Sequence, residues 1–69
     1  MSIESDLLKF VPNGESNAIS ARIIWEQLGM WSILSVRHKL NEMAAAGTIR
    51  RKKIEQAGGP LYLYFKQLD

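Results

Sequence analysis

The hydrophobic period of this chain changes once, at Gly47-Thr48. Upstream, apolar residues recur three and four positions apart, most regularly in Ile33, Val36, Leu40 and Met43, the spacing of a helix with one face meant for a core. Downstream, two β-prone runs, Thr48 to Ile54 and Leu61 to Phe65, flank a polar stretch ending in Gly58-Gly59-Pro60, which is the signature of a hairpin. A chain that obeys both periods in this order is α+β, with its helices first and its hairpin last.

Sixty-nine residues leave room for one hydrophobic core, so residues 1–69 are expected to form a single domain. The apolar fraction of 46% is ordinary for a globular protein and too high for a disordered tail. With no cysteine, there is neither a disulfide framework nor a thiolate zinc site to hold the fold together. No apolar run approaches the roughly 18 residues of a membrane span. The opening Met1-Ser2-Ile3-Glu4-Ser5-Asp6 is acidic where a secretory signal is basic. The expectation is a soluble, cytoplasmic protein.

Three helices can be placed. Ile3, Leu7, Leu8 and Val11 fall at helical spacing, with Glu4 and Asp6 at the end where the helix dipole favours anions, and Pro12-Asn13-Gly14 closes the segment. After the polar Glu15-Ser16-Asn17, Ala18-Ile19 suits a minimal strand. Ser20 then caps a second helix of about nine residues, with Ile19 and Ile24 at staple spacing, Ile23, Ile24 and Leu28 as its stripe, and Gly29 as its left-handed terminator. Ser32 caps the third helix, with Trp31 and Val36 at staple spacing, and Gly47 ends it. In the hairpin, Leu61, Leu63 and Phe65 should share one face and Tyr62 and Tyr64 the other, while the tail from Lys66 to Asp69 should fray. Three helices followed by a C-terminal β-hairpin wing is the plan of a winged helix-turn-helix.

Burying Ile33, Val36, Leu40 and Met43 decides what the third helix presents outward. Leu34, His38 and Ala45 point most directly away, with Trp31, Ser35, Asn41 and Glu42 beside them and Arg37 and Lys39 on the shoulders. When the second helix of a helix-turn-helix enters the major groove of DNA, residues near its start meet base edges. Arg can donate two bonds to guanine, Asn can pair with adenine in both directions, and Ser or His can bond bases or phosphates. Ser32, Ser35, Arg37, His38, Lys39 and Asn41 are therefore the candidate contacts of that helix.

Charge supports the same end of the chain: residues 1–30 carry a net −2 and residues 31–69 a net +4. Arg50-Arg51-Lys52-Lys53 supplies four consecutive cations on the first hairpin strand, more than protection of a sheet edge requires. With Ile49 turned inward, alternation sends Arg50 and Lys52 outward, leaving Arg51 and Lys53 at the edge; Arg50, Lys52 and Lys53 are the candidate phosphate contacts. Chemistry of other kinds finds no support. His38 is the lone histidine, no carboxylate pair stands near it at ligand spacing, Gly58-Gly59-Pro60 lacks the context of a phosphate-binding loop, and the serines have no base partner. Neither catalysis nor a metal or organic cofactor is expected.

The stretch from Ile19 to Phe65, with Ile19-Ser20-Ala21-Arg22-Ile23-Ile24-Trp25-Glu26-Gln27-Leu28-Gly29 before the turn and Ser35-Val36-Arg37-His38-Lys39-Leu40-Asn41-Glu42-Met43 after it, resembles the winged-helix repertoire of bacterial regulators. Its size and the ending Gly59-Pro60-Leu61-Tyr62-Leu63-Tyr64 are similar to the small FaeA/PapI-type fimbrial operon regulators. A small regulator borne on a phage or plasmid fits almost equally well. The resemblance implies sequence-specific binding of double-stranded DNA in transcription regulation, with Ser35, Val36, Arg37 and His38 around the reading element. It also implies a global regulator, the leucine-responsive regulatory protein, bound alongside. Trp31-Ser32-Ile33-Leu34 makes the turn one residue longer than that pattern, which moves the register of the readers by one position. A homodimer or a co-bound protein would add to the small surface that one such domain offers DNA. A protein-interaction module is the other reading, motivated by Trp31 and Leu34 on the outward side of the third helix.

Overall fold

A computed structural model describes residues 2–67. Along the chain come α1 (Ile3–Phe10), a single 3-10 turn (Glu15–Asn17), β1 (Ile19–Ser20), α2 (Ala21–Leu28), α3 (Ile33–Ala45), β2 (Arg50–Gln56) and β3 (Gly59–Phe65). The strands form one antiparallel sheet in the order β1-β3-β2, which makes β3 central and β2 an edge. The architecture is thus α+β, three helices with a small sheet. None of these helices is long and apolar enough to cross a membrane.

Each helix starts on a serine. Ser2, Ser20 and Ser32 have extended backbones, and each hydroxyl accepts a hydrogen bond from the amide three residues on, at Ser5, Ile23 and Ser35. This satisfies one of the amide donors that a helix start leaves without an internal partner. Gly29 closes α2 in the left-handed region at φ 74°, a conformation costly to residues with a Cβ. Ala46 caps α3, and Gly47 reverses the chain at φ 84°.

One face of each helix meets a common core. Leu7 and Val11 at the end of α1, Ala21 and Ile24 from α2, and Val36, Leu40 and Met43 from α3 close over Ile49 and Tyr64. Ile23, expected in the α2 stripe, is instead exposed, because the core lies along the Ala21, Ile24 and Leu28 side of the helix. At about 25 cal/mol per Å² of apolar surface, the fully buried aliphatic side chains each contribute roughly 1.5–3 kcal/mol.

The sheet departs from expectation in three places. Glu55-Gln56 and Gly59-Pro60 are paired strand, so Ala57-Gly58 alone makes the turn, with Gly58 and Gly59 both at positive φ. Pro60 is tolerated because β1 reaches only Leu63 and Tyr64, leaving the Pro60 end of β3 with β2 as its one neighbour. Tyr64, 2% exposed, belongs to the core, whereas Leu61 and Leu63 on the other face stay half-buried. Lys66 is tied down: its amide donates to the Pro12 carbonyl (2.7 Å), its carbonyl accepts from Gly14 (2.8 Å), and its ammonium donates to the Leu8 carbonyl (2.8 Å). That ammonium sits at the negative end of α1, where a cation is favoured. Leu68 and Asp69, expected to fray with it, lie outside the described residues.

Candidate functional site

The outward face of α3 is built as its period requires. Leu34 is 71% exposed, His38, Arg37 and Ser35 are exposed, and Ala45 stands beside them. Towards α1, Lys39 leaves this face: half-buried, its ammonium lies 3.7 Å from Glu4 on α1 and 3.4 Å from Glu42. His38 Nε2 is 2.7 Å from the second Glu42 oxygen, so one carboxylate engages both basic residues. Ser32 and Ser35 are bonded to each other, the Ser32 hydroxyl donating to Ser35 Oγ at 2.9 Å while accepting from the Ser35 amide. Arg37 joins no salt bridge among the described residues.

Asn41 has a task that the helix period alone does not assign. Its Oδ1 accepts from the Tyr64 hydroxyl at 2.6 Å and from the Arg51 guanidinium at 3.0 Å. That oxygen is committed to the protein, which removes half of the two-way pairing with adenine that an asparagine can offer. Arg51 in turn lies over the Tyr62 ring, 4.3 Å from its centre, in cation–π geometry. Residues of α3, β2 and β3 are thereby held together in one polar and aromatic network. Burial raises the Tyr64 hydroxyl above the usual tyrosine range, against a smaller lowering by Arg51.

Strand register then corrects the reading of the hairpin. Arg51 and Lys53 pair with Tyr64 and Tyr62, and side chains directly opposite across a sheet share a face. The alternation that turns Ile49 into the core also turns Arg51 and Lys53 to the α3 side, where the hairpin overhangs the helices and leaves them exposed. Arg50 and Lys52 do point away from the core, but that is the far face, opposite Phe65 and Leu63. Lys53 also lies 3.3 Å from Glu55. Arg37, His38, Asn41 and Lys53 are thus gathered on the α3 side of the molecule. Lys39, Arg50 and Lys52 are not.

Two residues join this surface that the sequence reading passed over, Arg51 and Tyr62. Arg51 was legible in principle, since it shares side-chain parity with Ile49; its partners on α3 and β3 were not. Asn41 stands at the meeting of two grooves. One, of about 550 Å³, runs between the second half of α3 and the start of β2 and includes Ala44, Ala45 and Arg51. The other, of about 460 Å³, lies between the start of α2, α3 and β3, with Arg22, Arg37 and Tyr62 in its walls.

Trp31, in the turn between α2 and α3, has the one positive φ of a non-glycine residue among the described residues, 70°. The Trp25 indole donates to its carbonyl at 2.9 Å and holds the turn in place. The additional residue of the turn is taken up by this pair of left-handed residues, Gly29 and Trp31. Met30, Trp31 and Leu34 are all exposed there.

No family model, curated protein or solved structure matches the chain.

Proposed function

We propose that this chain is a winged helix-turn-helix domain that binds double-stranded DNA as a small transcriptional regulator. In this reading α3 enters the major groove, and the β2–β3 hairpin is the wing that meets phosphates. The observation that carries it is the hydrogen bond from Arg51 to Asn41, which sets hairpin cations and the exposed side of α3 on one surface. Had Arg51 and Lys53 faced away from α3, a duplex could not meet both elements at once.

Within this reading the roles divide by position. Leu34, Arg37 and His38 face base edges, Leu34 as an apolar partner for a thymine methyl and Arg37 as a donor to guanine. Arg51 and Lys53 meet the phosphodiester chain. Glu42 neutralises part of the positive charge of α3, so the hairpin supplies most of the electrostatic attraction.

Binding isotherms on duplex DNA at several salt concentrations test the proposal. Affinity is expected to fall steeply as salt rises, because bound phosphates release their counterions. A salt-independent isotherm, or no binding at all, defeats it. The second reading, a protein-interaction module, is favoured by the exposed cluster Met30, Trp31 and Leu34. Chemical-shift changes confined to that cluster on adding a protein, with none on adding duplex, would select it.

A further inference from the structure

We infer that the groove between α2, α3 and β3 is a binding site for one unpaired nucleotide, an anionic phosphate joined to a planar base. This goes beyond duplex binding and stands on different residues. Arg22 enters from the first turn of α2 and Arg37 from α3, and no carboxylate lines the space between them. Neither arginine joins a salt bridge among the described residues, so both guanidiniums are available to an anion, which they suit by their planar array of donors.

The aromatic component is Tyr62. Its ring lies in this groove, while Arg51, stacked over it at 4.3 Å, lines the neighbouring groove instead. Arg51 therefore backs the ring and fixes its plane, leaving its remaining surface to the Arg22–Arg37 side. Between ring and cations stands Asn41, whose oxygen is taken by Tyr64 and Arg51 and whose amide nitrogen makes no hydrogen bond among the described residues. Cations for a phosphate, a fixed ring for a base and an amide donor for its edge form the combination by which single strands are held. A volume of about 460 Å³ falls within the roughly 300–1,000 Å³ over which concave sites take small ligands.

The same chemistry could come from a free mononucleotide or from an unstacked residue in a DNA strand, and a titration of the labelled full chain separates them. Thymidine 5′-monophosphate should move the Tyr62 ring signals together with the Nε–H signals of Arg22 and Arg37, whereas inorganic phosphate should move the arginine signals alone. Pentathymidylate binding the same residues about tenfold tighter or more assigns the site to strands, since further phosphates add to the attraction. Equal affinities assign it to mononucleotides.

Tyr62→Leu keeps apolar bulk without the ring and should weaken either ligand by about fivefold to a hundredfold, the usual yield of one stacked base. Arg22→Gln, at an exposed position on α2, tests the anion side without touching the core. The inference is overturned if the Tyr62 ring is unmoved by both thymidine ligands, or if both variants bind as the parent does. A blunt duplex titrated in parallel keeps the two readings apart: nucleotide binding without duplex binding defeats the proposed function alone, and the reverse defeats this inference alone.

Discussion

Asn41 accepts from two donors of different kinds, a buried neutral hydroxyl and an exposed guanidinium. Replacing it with Ala strands the Tyr64 hydroxyl in the core, and a buried donor left without a partner costs about 1–3 kcal/mol. Urea denaturation of Asn41→Ala should show that loss as a lower midpoint. Tyr64→Phe removes the donor as well and should cost only about 0.5–1.5 kcal/mol, the net value of an ordinary hydrogen bond. The two variants also differ in pH response. Because burial raises the Tyr64 hydroxyl above its unfolded value, its contribution is fully present below pH 10, the ordinary tyrosine value, and is lost as pH rises through the folded-state value. Denaturation midpoints measured between pH 8 and 11 should fall at the alkaline end, with a smaller fall in Tyr64→Phe; an identical decline in both would assign the effect to another group.

At the scale of elements, α2 and α3 are joined by a turn with little slack. Gly29 at φ 74° admits no Cβ without strain, and Gly29→Ala should cost roughly 1–2 kcal/mol although there is open space around the position. Ser32→Ala removes the cap of α3 and should cost about 1 kcal/mol, again read from the denaturation midpoint. The capping loss should frustrate DNA binding only through stability, because Ser32 uses its hydroxyl on Ser35 rather than on a ligand. If Ser32→Ala lost affinity at a temperature where it is fully folded, Ser32 would instead touch DNA directly. The Trp25 indole contact to Trp31 holds the start of α3 from the other side, which is why the longer turn does not displace the helix.

For the molecule as a whole, the arrangement of cations around the sheet predicts an asymmetry. Arg51→Ala should weaken duplex binding and lower the salt slope by about one unit, as expected for the loss of one phosphate contact. Lys52→Ala, on the far face, should leave both nearly unchanged, even though the residues adjoin in sequence. Equal effects of the two substitutions would mean that DNA wraps the hairpin tip or does not lie on the α3 side. The cations serve a further purpose on β2, an edge strand of seven residues whose run of like charge opposes pairing with a second copy of itself.

Local chemistry was enough to place the helices and their ends. Serine at each start, Gly29 and Gly47 at two of the ends, and the recurrence of Val36, Leu40 and Met43 are decided by backbone sterics and burial within a few residues, so they can be read along the chain. The pairing of the strands depends on residues distant in sequence. Register sent Arg51 and Lys53 towards α3 and Arg50 and Lys52 away from it, and drew Tyr64 into the core. Asn41 could be seen as a polar residue on a helix shoulder; that its oxygen is spent on a strand 23 residues later was settled only when the sheet closed against α3.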